Sequence, residues 1–188
     1  MIKVGITGSL ASGKTTASEI LSRKRGPLFS ADSVVKQLYK KPFFLSLLRK
    51  KFQIKKKKKV KQSIKKILFD NKKNIKKLER LVHPLVRNKM REFTKKNNSK
   101  KLLFYEIPLL IESNLTKYFN LIIFVRAKKK VRLKRFKLKK GDEKLFNLLN
   151  SQQIYDKKKA KFCDYVVVNE KNLDILKKNL LDILERYE

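Results

Sequence analysis

The sequence predicts an α/β protein built on a parallel sheet. A short, partly β-branched run at residues 2–7 leads into a glycine-rich loop and then into a helical pattern. Two later runs, 101–106 and 121–125, are almost continuously apolar, which is typical of parallel strands covered on both faces. Because strand and helix patterns alternate around the leading loop, we expect a doubly wound sheet.

Further patterns complete a sheet of five strands with helices between them. In addition to those above, the predicted elements are a short strand at 27–30, several helices within 33–98, a lysine-rich helical stretch at 128–153 interrupted at Gly141, a fifth strand at 165–169 and a closing helix from Asn172. The lysine run Lys55–Lys59 is expected on a solvated turn or helix surface.

The glycine-rich loop is the segment GSLASGKT, which matches the pattern G-x-x-x-x-G-K-[ST] at every fixed position. Such a loop, between a strand and a helix, points backbone N–H groups and the positive helix end at an anion. We expect Lys14 to contact the β- and γ-phosphates of a nucleotide and the Thr15 hydroxyl to bind Mg²⁺. The predicted phosphate-binding residues are Gly8, Ser9, Ala11, Ser12, Gly13, Lys14, Thr15 and Thr16.

The composition limits the classes of function that the chain can have. It carries 51 Lys and Arg against 16 Asp and Glu, a formal net charge of +35. Such a charge would ordinarily indicate a nucleic-acid partner. However, the excess is lysine spread along the whole chain, and arginine, which makes the better bidentate contacts, is scarce. We therefore favour compositional drift with a solvated basic surface over a nucleic-acid footprint.

Cysteine and histidine usage points to a reducing compartment without a zinc site. Cys163 is the only cysteine, so no intramolecular disulfide can form, which suits the cytoplasm. His83 is the only histidine, so a site built on Cys and His is not expected. No stretch approaches the ~20 apolar residues of a membrane span, and the N-terminus shows no secretory signal.

Two acidic residues follow predicted strands, at the edge where open α/β sheets bind ligands. Asp32 comes just after the second strand and could deprotonate an attacking hydroxyl or be a second ligand of Mg²⁺; the alternative is a helix N-cap. Glu106 ends the third strand and could be an acid near the metal ion. For Glu106 we favour the alternative, an ordinary polar strand end.

Three further clusters carry candidate residues for a second substrate and a lid. Arg87, on a helix restarted by Pro84, could hold the phosphate of an acceptor, whereas His83 alone is interpreted as a capping or core residue. Glu112 follows the third strand and is expected near the same sheet edge. The basic segment 132–139 could be a mobile lid that brings cations onto a transferring phosphoryl group, or a solvated helix.

Together these residues resemble the dephospho-CoA kinase family, and the resemblance covers essentially the whole chain. The matching residues are Gly5–Thr16, Ala31-Asp32, Leu81, His83-Pro84, Arg87, Pro108-Leu109-Leu110, Glu112, Arg135, Gln153, Lys159, Asp164 and Asn169. The resemblance implies transfer of the γ-phosphoryl group of ATP, with Mg²⁺, to the ribose 3′-hydroxyl of dephospho-CoA. The implied partners are these two small molecules, without a specific nucleic acid or a membrane.

The resemblance also implies a three-layer P-loop kinase fold in a single domain, 1–188. Its implied parts are a nucleotide core at 1–32, 99–127 and 160–188, a helical CoA-binding region at 33–98 and a lid at 128–159.

The residue roles that the resemblance implies fall into two groups. The catalytic residues are Asp32, as the base, with Lys14 and Arg135; the substrate-binding residues are His83, Arg87 and Glu112. The chain departs from the family where Ser30, Lys139 and Leu149 stand, since the family often has an acid at the first and arginines at the other two. The identity of the catalytic cation of the lid therefore stays open between Arg135, Lys139 and other residues.

Two rival functions remain open at this stage. A kinase of the same fold acting on a nucleoside monophosphate would share Lys14, Thr15 and a lid, but has no reason to carry the His83–Arg87 and Pro108–Glu112 motifs. A nucleic-acid-binding P-loop protein would be expected to carry clustered arginines and stacking aromatic residues, which the sequence lacks.

Overall fold

The computed structural model describes residues 1–55 and 60–187 and contains a five-stranded parallel sheet. The strands are β1 (Ile2–Gly8), β2 (Leu28–Ser30), β3 (Leu102–Glu106), β4 (Leu121–Arg126) and β5 (Tyr165–Val168). Their order across the sheet is β2-β3-β1-β4-β5. The predicted fold class and all five predicted strands are confirmed.

Helices follow each of the five strands, directly or after a connecting loop. They are α1 (Lys14–Ser22), α2 (Ala31–Leu38), α3 (Pro42–Phe52), α4 (Val60–Asp70), α5 (Lys72–Lys96), α6 (Lys129–Leu138), α7 (Glu143–Asn150), α8 (Asp156–Ala160) and α9 (Leu173–Leu184), with a short 3₁₀ helix at Thr116–Tyr118. Residues 56–59 of the lysine run lie outside the described residues, and the prediction that the run lies on a solvated turn or helix surface falls largely on them. No helix within the described ranges is long and apolar enough to cross a membrane.

The basic stretch after β4 is broken into α6 and α7 at the predicted position. The Asp142 side chain accepts a hydrogen bond from the Leu145 amide at 2.7 Å and so caps α7. Pro84, in contrast, does not restart a helix as predicted, because it lies inside the 25-residue α5. A proline removes one backbone hydrogen bond, which a long helix packed through the buried Val82 tolerates.

The chain forms two compact units. The sheet unit comprises Met1–Ser30 and Thr94–Glu188, and the helical unit comprises Ala31–Phe93. The helical unit has its own core between α2, α3, α4 and α5, formed by Leu38, Phe44, Leu48, Ile54, Val60, Ile64 and Val82.

The sheet unit is covered on both faces of its central strands. On one face, Leu102 and Phe104 of β3 pack in a core with α1 and α9. Leu103 and Tyr105 alternate with them and point to the other face, yet they are equally buried. This arrangement explains why β3 and β4 are continuous apolar runs in the sequence.

The parallel register brings the carboxyl ends of the strands to one edge of the sheet. Ile6 of β1 pairs with Glu106 of β3, and Gly8 of β1 pairs with Val125 of β4. The glycine-rich loop after β1 therefore lies between the ends of β3 and β4. This is the edge at which open α/β sheets bind ligands.

A buried phenol lies in the core of the sheet unit. Tyr105 is fully buried, and its hydroxyl forms a hydrogen bond of 2.7 Å with Thr94 Oγ1. Burial raises the pKa of Tyr105 to about 12, from an ordinary value of 10.0. Because the folded state disfavours the phenolate, stability from this group is complete below pH 10 and is lost as the pH rises towards 12.

The substitution Tyr105→Phe tests this linkage. At pH 8 we expect the variant to lose about 1 kcal/mol of unfolding free energy, because one hydrogen bond is removed. Between pH 10 and about 12 the difference in unfolding free energy should shrink. In this range Tyr105 ionises in the unfolded chain but not in the fold, which favours unfolding of the unmodified protein, and the variant has no such group. Urea unfolding of both proteins at several pH values measures it, and a difference that does not change with pH would contradict the assignment.

Candidate functional site

The loop between β1 and α1 has a backbone that few side chains tolerate. Ala11 and Gly13 adopt left-handed conformations, with φ of 60° and 94°. A Cβ atom at Gly13 would lie 2.2 Å from Asn169 Nδ2, and one at Gly8 would lie 2.6 Å from Ser12 Oγ. Gly13 is therefore required by its conformation and by a close contact, whereas Gly8 is required by close contacts alone, which include the Val125 carbonyl oxygen at 2.8 Å.

The loop is closed on itself and held by residues from the other end of the chain. The Ser12 amide donates to the Ser9 carbonyl at 3.0 Å. The Ser12 carbonyl accepts from Asn169 Nδ2 at 2.9 Å and from Arg135 Nη1 at 3.3 Å. Arg135 Nη1 also donates to the Asn169 carbonyl at 3.0 Å. The predicted lid residue Arg135 thus lies beside the phosphate loop, on α6.

Lys14 and Thr15 open α1 and face a buried carboxylate. Thr15 Oγ1 donates to Glu106 Oε1 at 2.5 Å, and Lys14 Nζ lies 3.8 Å from the same oxygen. Glu106 is only 2% exposed, so it is not the ordinary polar strand end that we favoured. A hydroxyl beside a carboxylate is a pair of hard oxygen ligands of the kind that Mg²⁺ prefers.

The first residues of the loop are tied to the segment that follows α7. Ser9 Oγ donates to Asp156 Oδ1 at 2.5 Å, and the Leu10 amide donates to Gln153 Oε1 at 2.8 Å. Arg132 of α6, only 5% exposed, donates to the Leu10 carbonyl and to Asn150 Oδ1. The predicted lid segment therefore contacts the loop through several side chains.

A cleft of about 830 Å³ opens beside the first residues of the loop, within the sheet unit. Its lining includes five basic residues and one acidic residue: Arg126, Lys128, Lys129, Arg132, Lys157 and Asp156. The excess of positive charge around Ser9 favours anions on this side of the loop.

Glu112 has a partner that the sequence does not announce. Its Oε1 accepts from the Ile154 amide at 3.0 Å and lies 2.9 Å from Nζ of Lys159, which is fully buried. The pair joins the segment after β3 to α8. This arrangement favours a structural role for Glu112, and its predicted contact with a substrate stays a prediction.

The other predicted substrate and catalytic residues belong to the helical unit. Asp32 is exposed and lies in the first turn of α2, where a carboxylate favours the positive helix end, rather than at the capping position before it. His83 and Arg87 are one turn apart on α5. Burial, with the charge of Arg87, lowers the pKa of His83 below 6.5, so its imidazole is neutral at pH 7.

Several residues at the loop were not assigned to the site from the sequence. They are Glu106, Arg132, Asn150, Gln153, Asp156 and Asn169. Position at a carboxyl end of a strand raised Glu106 as a candidate, although the alternative was favoured, and the same position could have indicated Asn169, because those ends meet at the ligand-binding edge. Arg132 precedes Arg135 by three residues, which places both arginines on neighbouring positions of one helix surface.

Comparisons with known proteins show the family to which the chain belongs. The family model described as dephospho-CoA kinase matches residues 2–174. The dephospho-CoA kinase of Bartonella quintana is 33% identical over 187 residues, covering 97% of this chain and 96% of that protein. Among solved structures, the dephospho-CoA kinase from Campylobacter jejuni has a TM-score of 0.64 at 25% identity, covering 99% and 97% of the two chains. TT1252 from Thermus thermophilus shares the fold, with a TM-score of 0.82 at 24% identity over 100% and 98%.

The Glu112–Lys159 pair can be tested by paired substitutions. Glu112→Gln keeps an acceptor for the Ile154 amide but leaves the buried Lys159 charge uncompensated, so we expect a loss of about 3 kcal/mol in unfolding free energy. Adding Lys159→Met should recover much of that loss, because no unpaired charge then remains. Urea unfolding measures each variant.

An exposed ion pair provides the control for these variants. Glu143→Gln, which breaks the exposed contact with Lys137, should cost less than about 1 kcal/mol. If Glu112→Gln were as mild as Glu143→Gln, the structural role of Glu112 would be wrong.

Proposed function

Because the chain belongs to the dephospho-CoA kinase family, we propose that it transfers the γ-phosphoryl group of ATP to the ribose 3′-hydroxyl of dephospho-CoA. The products are coenzyme A and ADP. The observation that carries the proposal is the phosphate loop, in which Lys14 and Thr15 face a buried Glu106 at the ligand-binding edge of the sheet.

The loop and the start of α1 bind the phosphates of ATP. Backbone amides of the loop and the positive end of α1 face the anion. Lys14 contacts the β- and γ-phosphates, and in the transition state its positive charge offsets the negative charge on the transferring group.

Thr15 and Glu106 are the residues that would hold Mg²⁺. Their oxygens already lie together at the end of β3, and the resemblance adds Asp32 as a further candidate ligand. When bound, Mg²⁺ neutralises charge on the β- and γ-phosphates. Glu106 keeps the Thr15 hydroxyl oriented, because its carboxylate accepts a hydrogen bond from that hydroxyl.

Asp32, His83 and Arg87 act on dephospho-CoA. Asp32 takes the proton from the 3′-hydroxyl as its oxygen attacks the γ-phosphorus, and its exposed carboxylate is accessible to the acceptor. Arg87 binds the pyrophosphate of the acceptor with its planar guanidinium. His83, neutral at pH 7, contributes hydrogen bonds rather than charge.

Arg135 is the cation of the lid that we favour. It is held beside the loop by the carbonyls of Ser12 and Asn169, both through Nη1. Its remaining donors are the ones that we assign to the transferring phosphoryl group. Lys139 lies just after the end of α6 and is exposed, so it is the second candidate.

We assign regional roles in the same way. The helical region 33–98 binds the CoA moiety, and the segment 128–159 is the lid. The single Cys163 suits a reducing compartment, and we place the reaction in the cytoplasm.

The function itself is tested by acceptor-dependent consumption of ATP. We expect turnover with dephospho-CoA, Mg²⁺ and ATP, and little turnover with nucleoside monophosphates as acceptors. Lys14→Ala should lower kcat roughly a hundredfold or more, on the scale of one preorganised charge contact. A coupled assay of ADP release measures all of these. Faster turnover on a nucleoside monophosphate than on dephospho-CoA would overturn the proposal.

The role of Arg87 is tested by comparing the changes in KM for dephospho-CoA and in KM for ATP. Arg87→Ala should raise KM for dephospho-CoA about tenfold or more and leave KM for ATP nearly unchanged, because it removes a charged contact with one substrate only. Arg87→Lys should recover part of the loss, since the charge returns without the two-pronged geometry.

A control on the same helix separates local from diffuse charge. Lys89 follows Arg87 by two residues and lies about 200° around the helix, with an exposed contact to Glu92. Lys89→Ala should change neither constant. Equal damage to both constants in Arg87→Ala would mean that Arg87 supports the fold instead.

A further inference from the structure

The residue Leu10 in the phosphate loop has both of its backbone polar groups bound by side chains that are distant in sequence. Its amide donates to Gln153 Oε1 at 2.8 Å, and its carbonyl accepts from Arg132 Nη1 at 3.3 Å. The Leu10 carbonyl and Arg132 are separated by 122 positions in the chain. The leucine is therefore held by its backbone, in a way that does not depend on its own side chain.

Arg132 is built into the protein rather than presented to solvent. It is 5% exposed, and its Nε donates to the Ala127 carbonyl at 3.0 Å, while Nη1 also donates to Asn150 Oδ1 at 2.7 Å. Three acceptors from three segments thus determine the position of one guanidinium. A side chain held in this way can fix the orientation of the carbonyl that it contacts.

Orienting the Leu10 carbonyl orients the next amide as well. The peptide between Leu10 and Ala11 is planar, and in a trans peptide the C=O and N–H bonds point in opposite directions. With the carbonyl directed at Arg132, the Ala11 N–H is directed away from it. Ala11 has a φ of 60°, a left-handed conformation that residues other than glycine disfavour.

The same relation occurs two residues further along the loop. The Ser12 carbonyl is directed at Arg135 and Asn169, so the Gly13 N–H is directed away from them. Backbone N–H groups of such a loop are the donors that cradle phosphates. Two carbonyls of the loop, those of Leu10 and Ser12, are therefore held by α6 arginines.

We propose that Arg132 is a positioning residue for the kinase reaction, which holds the Leu10–Ala11 peptide so that the Ala11 amide faces the phosphates of the nucleotide. The proposal rests on the nucleotide binding that the proposed function assigns to this loop. Arg132 itself contacts the Leu10 carbonyl and the Asn150 side chain. It acts through the loop, and α7 contributes through Asn150.

Binding of ADP and of AMP to the full chain tests the proposal, with Arg132→Gln as the main variant. We expect the Kd of ADP, measured by calorimetry with Mg²⁺, to rise roughly tenfold to a hundredfold, as for loss of a charged hydrogen bond. Binding of AMP should change less than binding of ADP, because AMP lacks the β-phosphate, one of the two phosphates that the amides of such a loop cradle. Arg132→Lys should lie between the two proteins, since it restores charge and one donor.

Two further variants keep the test decisive. Asn150→Ala removes one of the three acceptors of the Arg132 guanidinium and leaves the other two. We therefore expect the same ADP-selective loss at a smaller size, even if Arg132→Gln does not fold. Lys130→Gln removes an exposed charge from the same helix and should leave both Kd values unchanged.

The outcomes separate positioning from a structural role and from the choice of acceptor. Equal weakening of ADP and AMP in Arg132→Gln, or unchanged ADP binding in a folded variant, would overturn the inference. The binding measurements contain no acceptor, so they do not depend on which acceptor the protein phosphorylates. Failure of the unmodified protein to phosphorylate dephospho-CoA would refute the proposed function without deciding the role of Arg132.

Discussion

The phosphate loop depends on distant residues that hold its carbonyl groups away from the ligand. Ala11 and Gly13 occupy left-handed backbone conformations, and an unsupported loop would relax at Ala11 because a residue with a Cβ atom disfavours that region. The carbonyls of Leu10 and Ser12 are bound instead by Arg132 and Arg135 of α6, with Asn169 after β5. The donors that a phosphate requires are therefore arranged before any nucleotide arrives, which lowers the reorganisation needed for binding.

Three of the 16 acidic residues face specific donors within the sheet unit, at or near the phosphate loop and the segment after β3. Glu106 faces Lys14 and Thr15, Glu112 faces Lys159, and Asp156 accepts from Ser9. Each of these carboxylates has a specific donor, so its charge is compensated where solvent is limited. In a chain with a net charge of +35, this distribution leaves the basic surface free to favour encounter with anionic substrates.

The two arginines of α6 show how charge type matters in such a basic chain. Arg132 and Arg135 donate to loop carbonyls, while Lys129, Lys130 and Lys134 of the same helix are exposed. A guanidinium can bond several acceptors at once in a fixed geometry, which an ammonium group cannot do. Lysine and leucine stand at positions 139 and 149, where the family often has arginines. The arginines of α6 that contact the phosphate loop are Arg132 and Arg135.

The sequence by itself determined the phosphate loop, the five strands and the family, because these depend on local spacing and on runs of apolar residues. GSLASGKT specifies its own turn, and the burial of β3 and β4 on both faces is written in their composition. Only the tertiary structure decided that Glu106 is buried against Thr15, that Glu112 pairs with Lys159, and that Arg132 holds Leu10. The partners in these contacts are 47 to 122 positions apart, and no periodicity within one segment can reveal which distant side chain will meet it once the sheet edge is assembled.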